Sequence, residues 1–573
     1  MKSVNINANE YALYGFQSNG NYIIPPHYQP KKFSGDGILW LIPVTEEKSA
    51  KLFTCKAYTV KRKRGILTVI FDGEYTVQEF PSLPCCDFFG NKMIFNLPEK
   101  EIFEKTFAKF YWDNLLNQIA ERTFMVKKKD VRDGYVLSTL NKKAYVGTYP
   151  AVDHEFHMKG RFAVGGKSES ALIRRMLTLQ LKIMREDRKK LYRNVCSVQP
   201  NRRREYNVWR KSKNGKCKAQ MFRITANIEF VEGVYNYYCL TKDLDFVKDN
   251  ITDIEMNCSY IERFIRNDGF LDSHVYYEDQ VIKDGTVLQA QLFAANAFAL
   301  MGEIELLLNR QDKANHYWEL SNRLGEKAVK PYPDGFWDSE NNRFMDWIDA
   351  NGKKHDHIHL LANELPELFG FADDAQISKC RQTLESSKEV FDKFPSFVAA
   401  KIEAYTDDEI GVGGPYDLCA AGRYWCWDAE YLAFEKNHKK LLKQLLQVSR
   451  QAETDNYFMG ERYDMNYVYY NSGKDAQHNW HGASLYYEYP NVWIYVFICK
   501  YLGVRRGFME DLILAPLFEN GSVTLEQYGI AFTVSGGKVT EIRNIQKENL
   551  KVTLPMYSKT YDISAGDILV CSI

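Results

Sequence analysis

Two acidic loops carry the residue types that could do chemistry, and the first ends on the string Tyr276-Tyr277-Glu278-Asp279. A carboxyl that lies beside tyrosines in a cleft is expected to have its pKa raised by desolvation. A general acid that works near neutral pH needs such a shift. The alternative is that Glu278 and Asp279 are solvated loop charges. The sequence therefore makes Glu278 the first candidate for a general acid and Asp279 the second.

The second acidic loop carries Glu461, in the string Gly460-Glu461-Arg462, just before a long aromatic stretch. The chain then returns to a last predicted helix, so Glu461 can lie on the same face as Glu278. Two carboxyls on one face can flank a glycosidic bond. One protonates the leaving oxygen and the other activates water on the opposite side of the sugar ring. A local ion pair between Glu461 and Arg462 is the alternative.

Three histidines alternate along the chain at His355, His357 and His359. Alternating histidines can ligate a metal, but this stretch is predicted to open a helix. At helical spacing only His355 and His359 share a face. We therefore expect no metal here, and we expect His357 or Asp356 either to contact a sugar or to cap and pack the helix.

The segment just before these histidines contributes Asp346 and Trp347. Sugar rings stack on aromatic planes, so Trp347 is a candidate wall of a sugar site, and Asp346 belongs to the same loop. A tryptophan in the core is the alternative, because aromatic side chains are core material first. The high aromatic share of 14% leaves the same two alternatives open for the whole chain.

The elements that must position these loops are predicted helices. From about 166 to 503, apolar residues recur at helical spacing, and the connections between the helices alternate between short turns and long loops rich in Gly, Asp, Tyr and Trp. Short turns on one face and long loops on the other are what an α/α toroid needs. The sequence therefore predicts a mainly α fold, an (α/α)6 toroid barrel with a small β domain at each end.

Four segments follow from this pattern. We predict a β-sandwich-like domain at 1–95, a linker helix with entry loops at 96–165, the catalytic barrel at 166–505 and a second β domain at 506–573. The first and last segments contain β-branched and aromatic runs broken by turn signals. The linker helix is predicted over 99–122, where apolar residues recur near a 3.6-residue period.

Composition excludes several classes of function. The net charge is +1, so no broad basic field is available for a nucleic acid backbone. We recognise no phosphate-binding or dinucleotide fingerprint, and we expect no cofactor. The twelve cysteines form no CxxC pair, and we find neither a signal-like start nor a run long enough for a bilayer. We expect a cytoplasmic protein with no membrane partner, and homo-oligomerisation remains open.

Four loops, taken together, resemble those of glucoamylases. The string ending at Glu278-Asp279 is similar to that family's acid loop, and 460–464 is similar to its base loop. Two further strings, 147–153 and 414–427, resemble its early sugar-holding loop and its tryptophan-lined late loop. The resemblance covers about 145 to 503 and implies the six-hairpin glycosidase superfamily, with an (α/α)6 barrel and an inverting mechanism.

The resemblance also implies roles for particular residues. Glu278 would be the acid and Glu461 the base, with Asp279 as the fallback acid. Asp153 would hold the sugar in subsite −1, and the other expected substrate contacts are Tyr149, Tyr277, Asp346, Trp347, His357, Trp425, Trp427, Trp480 and His481. The substrate would be a small oligosaccharide or glycoside.

This chain departs from the glucoamylase pattern in ways that bear on specificity. Ala151 and Val152 stand where glucoamylases carry an arginine before the substrate aspartate, and the second acid is Asp279 rather than glutamate. Three other functions therefore stay open. They are a glycoside phosphorylase, whose phosphate could lie near the basic loop 201–218, a sugar epimerase using His357 and His481, and a non-catalytic sugar-binding toroid.

Overall fold

The computed structural model describes residues 2–17, 22–24, 32–119, 136–139, 148, 154–199, 203–206, 208–465, 480–481 and 483–571. Within them, thirteen α-helices span the middle of the chain. They are α1 (Lys100–Lys109), α2 (His154–Val164), α3 (Gly166–Arg185), α4 (Thr225–Thr241), α5 (Leu244–Glu262), α6 (Leu288–Leu307), α7 (Gln311–Ala328), α8 (Leu360–Leu368), α9 (Asp374–Ser386), α10 (Lys388–Phe391), α11 (Gly422–Phe434), α12 (His438–Thr454) and α13 (Glu488–Tyr495). Two π-helical turns, Phe110–Leu115 and Val496–Tyr501, extend α1 and α13.

The described strands fall into three groups along the chain. The first group is β1 (Lys2–Asn7), β2 (Tyr11–Gln17), β3 (Tyr22–Ile24), β4 (Lys32–Pro43), β5 (Ala50–Lys63), β6 (Ile66–Phe80) and β7 (Met93–Asn96). Short strands between helices are β8 (Ser197–Val198), β9 (Arg204–Glu205), β10 (Val208–Lys211), β11 (Lys218–Met221), β12 (Thr286–Val287), β13 (Trp337–Asp338), β14 (Arg343–Phe344), β15 (Trp347–Ile348), β16 (Lys354–His355), β17 (Ala420–Ala421), β18 (Arg462–Tyr463) and β19 (Trp480–His481). The last group is β20 (Val504–Arg505), β21 (Leu512–Leu514), β22 (Gly521–Leu525), β23 (Ile530–Ser535), β24 (Lys538–Asn544), β25 (Leu550–Leu554), β26 (Lys559–Ile563) and β27 (Ile568–Val570).

Six helices form a closed ring. Helices α2, α4, α6, α8, α11 and α13 contact one another in this order, and α13 returns to contact α2. Helices α3, α5, α7, α9 and α12 pack on the outside of the ring, each against the inner helix that precedes it, and α1 packs against α12. Every residue of α2 and α13 is buried. The ring is therefore the core of the molecule.

Strands make up both ends of the described chain, and short strands also lie between the helices. Sheets formed from twenty-seven described strands accompany the helices, so the fold is mixed α and β, and the expectation of a mainly α fold is wrong in this respect. The cause lies in the loops as well as in the end regions, because the long connections between helices themselves pair into short strands such as β10–β11 and β17–β18–β19.

The first sheet contains six strands in the order β1-β6-β5-β4-β2-β3. Consecutive residues of β4 alternate between its two faces, as the two-residue period of a strand requires. Leu39 packs in the core of the outer face, whereas Trp40 faces the helices and donates its indole N–H to the Phe88 carbonyl at 2.8 Å. Its ring lies 4.9 Å from that of Trp112. The sheet is thus fixed to the helix that follows it.

Strand β7 belongs to the C-terminal part of the molecule. It pairs antiparallel with β22, with Phe95 opposite Val523, and it ends a five-stranded sheet in the order β27-β24-β23-β22-β7. A second sheet has the order β20-β21-β25-β26. The sequence analysis assigned β7 to the N-terminal segment 1–95. In the structure β7 is instead the edge strand of a sheet whose other strands come from the C-terminal end of the chain.

Helix α2 is an element that the sequence reasoning missed. It lies in the segment 96–165, which was expected to be linker, yet it stands in the inner ring between α13 and α4. Its sequence HEFHMKGRFAV has no apolar stripe, although every residue of the helix is buried. Its charged residues can be buried because they are paired inside the protein. Lys159 lies 2.6 Å from Glu155, and Arg161 lies 2.8 Å from Glu169. The ring therefore begins at 154 rather than at 166.

The expectation that no run is long enough for a bilayer is wrong by length and composition, because one helix of the described chain, α6, is long and apolar enough to cross a membrane. It belongs to the inner ring, and 67% of its most apolar stretch is buried inside the protein. An inner helix of a ring is in contact with other helices on most sides, which accounts for its apolar composition.

Candidate functional site

A polar cavity of about 230 Å³ opens at one mouth of the helical ring. Its lining residues precede, or lie at the start of, five of the six inner helices, so the loops that lead into the ring meet at this mouth. The lining residues are Ser138, Thr148, Cys196, Ser197, Gln199, Glu205, Val208, Arg210, Phe222, Asp279, Arg423, Glu461, Arg462 and Tyr486. Three arginines and three carboxylates are among them, which makes the cavity polar and nearly neutral.

Asp279 faces this cavity and forms a two-contact ion pair with Arg210. Arg210 Nε lies 2.9 Å from one carboxylate oxygen of Asp279, and a terminal nitrogen lies 3.0 Å from the other. The β10–β11 hairpin carries Arg210, and Met221 at the end of that hairpin bridges to Val275, just before the acidic loop. Backbone pairing therefore holds the arginine and the aspartate together.

Glu461 lies in the same cavity and is held from two sides. Its Oε2 accepts a hydrogen bond from the Ala483 amide at 3.1 Å, and its Oε1 contacts the Arg462 guanidinium. Strand β18 begins at the next residue and pairs with both β17 and β19. The ion pair between Glu461 and Arg462 that the sequence left as an alternative is present, and it places both side chains in the cavity.

Asp417 does not line the described cavity, but it contacts Gln280 and Arg462, the residues that directly follow the two cavity carboxyls. It is fully buried, it accepts from the Gln280 amide at 2.6 Å, and Arg462 Nε lies 2.5 Å from it. Burial raises the pKa of Asp417 to about 7, the charges of Asp279 and Glu461 add to the rise, and Arg462 opposes it. A buried carboxyl with a raised pKa therefore lies close to the two cavity carboxyls.

Another part of the cavity lining is built around Glu205. Its carboxylate accepts from the Ser197 hydroxyl at 2.6 Å and from the Gln199 amide at 2.9 Å, and it pairs with Arg203 at 2.5 Å. Burial by itself would raise the pKa of Glu205, but these three donors lower it. The wall therefore carries an ionised carboxylate with its hydrogen-bonding partners already in place.

Glu278, the first candidate for the acid, lies elsewhere. Its side chain is fully buried, and its Oε1 accepts from Gln289 at 2.7 Å and from His359 at 2.9 Å, with Lys283 Nζ at 3.2 Å. Lys283 also lies 2.8 Å from Asp346. Burial alone would raise the pKa of Glu278, but Lys283 and His359 outweigh it and hold that pKa well below the ordinary range.

This arrangement corrects the sequence interpretation of the first acidic loop. A pKa raised by desolvation was expected for Glu278, whereas the ionised form is stabilised by a buried lysine. Glu278 does not line the described cavity, and Asp279, the second choice, does. Asp346, expected to contact substrate, is likewise fully buried in the ion pair with Lys283.

Most of the candidate aromatic contacts lie in the core. Tyr277, Trp347, Trp425 and Trp427 are buried and do not line the described cavity. Trp427 donates to the Tyr277 hydroxyl at 3.2 Å, and Lys159 Nζ lies 4.0 Å from the Trp427 ring centre. These positions agree with the alternative that the four aromatics are core material. They do not agree with a role as walls of a sugar site in this cavity.

The alternating histidines follow an extended chain rather than a helix. Strand β16 ends at His355, and α8 begins only at Leu360, with His359 as its N-cap. In an extended chain residues two apart point to the same side. His355 Nδ1 and His357 Nε2 accordingly reach the same oxygen of Glu409, at 2.6 and 3.1 Å. The prediction that only His355 and His359 share a face is therefore wrong.

Four predicted contacts cannot be placed in full. Tyr149 and Asp153 lie outside the described residues. Trp480 and His481 form β19, which pairs with β18 directly after Glu461, so their backbone lies beside the cavity. Their side chains lie outside the described part of the chain.

The sequence reasoning missed the arginines of the cavity. Arg210 belongs to the basic stretch 201–218, which was interpreted only as a place near which the phosphate of a phosphorylase could lie. Arg423 and Arg462 lie inside strings that were read for their aromatics and acids. The sequence did contain one signal, because each of these arginines adjoins an acidic or aromatic loop. The pairing of Arg210 with Asp279, however, joins residues 69 positions apart, and a single sequence does not indicate such a contact.

Comparison with known proteins identifies relatives by structure only. No protein-family model matches the chain, and no curated protein matches it. Among solved structures, a GH78 family rhamnosidase of Bacillus sp. GL1 has a TM-score of 0.53 at 14% identity, covering 96% of this chain and 52% of that chain. An α-L-rhamnosidase from Aspergillus terreus has a TM-score of 0.52 at 11% identity, covering 99% and 60%.

A structure described as a sialidase has a TM-score of 0.54 at 10% identity, covering 94% of this chain and 57% of that chain. The present chain thus spans only 52–60% of the length of these three structures. At these identities the likeness establishes a shared, glycosidase-related fold. The finer resemblance to glucoamylases stays a prediction.

Proposed function

We propose that this chain is a glycoside hydrolase and that its ring of helices is an (α/α)6 catalytic barrel. The observation that carries the proposal is that Asp279 and Glu461, from two different loops, line one polar cavity at the mouth of the ring. Two carboxyls facing a common cavity are the minimum apparatus for cleaving a glycosidic bond. The glycosidase-related fold supports the same function.

In the proposed mechanism Glu461 is the base and Asp279 the acid. The Ala483 amide and Arg462 orient the Glu461 carboxylate, which suits it to accept a proton from an attacking water. Asp279 would protonate the leaving oxygen. Arg210 engages both oxygens of Asp279, so this role requires Arg210 to turn from Asp279 to the bound sugar. Attack by water opposite the leaving group would invert the anomeric centre.

The role we assign to Glu278 is one of position rather than proton transfer. Its contacts with Lys283 and His359 join the acidic loop to the segment before α8. That anchor fixes the backbone from which the next side chain, Asp279, enters the cavity. The sugar hydroxyls would be recognised by the polar wall around Glu205, where donors and acceptors are already oriented.

Several further features belong to the same proposal. We place the substrate among small oligosaccharides or glycosides, with no cofactor needed, and we retain the domain division with the barrel beginning at α2. The described cysteines are all free thiols, which supports a reducing compartment such as the cytoplasm.

The test is hydrolysis of a panel of aryl glycosides and oligosaccharides, α-L-rhamnosides included, with and without inorganic phosphate. We expect Asp279→Asn and Glu461→Gln each to lower kcat/KM by about 10²- to 10⁴-fold, the usual contribution of general acid–base catalysis. Proton NMR of the first product should show inversion. The matched control is Asp407→Asn, an exposed aspartate paired with Lys213, which should leave the rate unchanged.

The outcomes separate the alternatives. Turnover that requires phosphate would identify a phosphorylase. Sugar binding without any turnover, unchanged in both cavity variants, would identify a binding protein. Full activity in both cavity variants would reject the assignment of Asp279 and Glu461, and the histidine segment at 355–359 would become the place to look.

A further inference from the structure

A second group of convergent side chains lies beside the acidic loop and takes no part in the proposed hydrolysis. It contains His355, His357 and Glu409. One potential ligand atom from each residue lies within 4.8 Å of the other two. Two imidazole nitrogens and one carboxylate oxygen are the donor types that zinc and related divalent ions bind.

The three donors converge on one point. His355 Nδ1 and His357 Nε2 approach the same oxygen of Glu409, at 2.6 and 3.1 Å. Ligands of a tetrahedral zinc ion, with bonds of about 2.0–2.2 Å, lie roughly 3.3–3.6 Å apart. Small side-chain rotations therefore suffice to convert the present hydrogen bonds into three bonds to a metal.

The surroundings hold each donor in its orientation. The other oxygen of Glu409 accepts from the Thr406 amide at 2.8 Å and from its hydroxyl at 3.1 Å. The second nitrogen of His355, Nε2, lies 3.4 Å from the Asp349 carboxylate. A carboxylate behind a ligating histidine fixes the tautomer and increases the basicity of the ligand.

Aromatic rings also fix the planes of both imidazoles. The His355 ring is stacked on Trp347 with centres 4.1 Å apart, and the His357 ring is stacked on Tyr405 at 3.7 Å. All three donor side chains are largely shielded, with exposed fractions of 9% for His355 and Glu409 and 15% for His357. Rigid donors at a shielded but accessible place are what a metal site requires.

We propose that His355, His357 and Glu409 bind one divalent transition-metal ion of the zinc class, with Asp349 supporting His355 from behind. Three protein ligands leave one coordination position open. The charge supports a cation at this place, because the two carboxylates Glu409 and Asp349 face imidazoles that must be neutral to ligate.

The ion would fasten the loop that supports the cavity. The backbone carbonyl of Glu409 accepts from the Ile282 amide at 2.7 Å, and the Gly411 amide donates to the Gln280 carbonyl at 2.8 Å. Residues 280–282 directly follow Asp279. A metal bound by Glu409 would therefore connect the segment at 355–357 to the backbone that carries Asp279.

The test uses the whole protein after treatment with a chelator and dialysis. Zn²⁺ and Co²⁺ are titrated separately, with calorimetry for affinity, visible absorption of Co²⁺ for coordination, and elemental analysis for stoichiometry. We expect one equivalent per chain, a Co²⁺ spectrum of low coordination number, and a melting temperature that rises with added Zn²⁺.

Variants decide whether these residues are the ligands. His357→Gln should weaken binding by at least about 100-fold, whereas Asp349→Asn should weaken it by about 10- to 100-fold and keep the stoichiometry, as loss of a supporting carboxylate does. His316→Gln is the matched control, an exposed histidine of α7 beside Glu262, and it should bind as the native protein does.

Near-ultraviolet circular dichroism checks that each variant is folded, and Asp349→Asn provides a second readout if His357→Gln is not. Absence of saturable binding at one equivalent in the native protein overturns the proposal. Equal affinity in the native protein, His357→Gln and Asp349→Asn overturns it as well, because the ion would then be bound elsewhere.

Discussion

Glu278 and Asp279 are consecutive in the chain but lie in opposite environments. Glu278 is fully buried beside Lys283 and His359. Asp279 is partly exposed in a cavity, where it pairs with Arg210. The partners of the Glu278 carboxylate are buried protein groups. The partner of Asp279 is Arg210, a partly exposed side chain that can turn toward solvent or a ligand.

The difference teaches how one loop can combine stability with chemistry. A buried charge pair contributes rigidity only while every partner is present, because an unpaired charge in the interior is costly. A partly exposed pair contributes little to stability and can be rearranged at little cost. We therefore expect changes around Glu278 to affect folding first, and changes around Asp279 to affect catalysis first.

The largest effect is expected when the cation that pairs with each carboxylate is removed, Lys283 beside Glu278 and Arg210 beside Asp279. Lys283→Met leaves Glu278 and Asp346 buried without their shared cation, and it should lower the free energy of unfolding by about 3–5 kcal/mol. Arg210→Met is the matched change in the cavity and should cost only about 0–1 kcal/mol, because its ion pair is partly exposed. Chemical denaturation of both variants gives the two values. Similar costs would contradict the division into a buried anchor and an adaptable cavity.

A milder pair of changes separates the two neighbouring carboxyls themselves. Glu278→Gln removes the charge opposite Lys283 but keeps a hydrogen-bonding group, so it should cost about 1–3 kcal/mol of stability. Asp279→Asn should change stability by less than about 1 kcal/mol and reduce turnover strongly. Thermal melts and initial rates on the same samples measure both effects. If Glu278→Gln lost all turnover at full stability, Glu278 would be the acid.

Much of the helical ring could be predicted because its helices carry local signals. Helix α6 of the ring, and α7 and α12 packed outside it, all lie in the span from about 166 to 503 where helices were predicted. Helix α2 could not be predicted in this way. Its charged residues are satisfied by partners such as Glu232 and Glu169 from other helices, and those contacts do not appear in a local pattern.

The site was predictable to the level of loops but not of side chains. Each of the two acidic loops contributes a carboxyl to the cavity at the mouth of the ring, Asp279 from the first loop and Glu461 from the second. Which of two adjacent acids faces inward depends on Lys283, Asp346 and His359, which three separate segments supply. Likewise, the pairing of His355 with His357 depends on an extended backbone that two short strands impose. Such information is tertiary, so a single sequence does not contain it.

The last prediction concerns how stability changes with pH through Asp417, the buried carboxyl beside the cavity. Its pKa is raised from 3.8 to about 7 by burial, so the folded protein keeps a proton there that the unfolded chain releases above pH 4. Between pH 4 and 7 the unfolded state binds fewer protons at this site, and by linkage Asp417 makes stability fall as pH rises, by at most about 1.4 kcal/mol per pH unit.

Asp417→Asn removes this titration and should flatten the fall, even if the variant is less stable at every pH because Arg462 loses a partner. Urea denaturation at four pH values between 4.5 and 7.5 measures the slope. The exposed Asp407→Asn variant should keep the native slope. Parallel profiles for Asp417→Asn and the native protein would show that Asp417 is already ionised at pH 4.5, and that the cavity carboxyls have a permanent negative neighbour rather than a proton-bearing one.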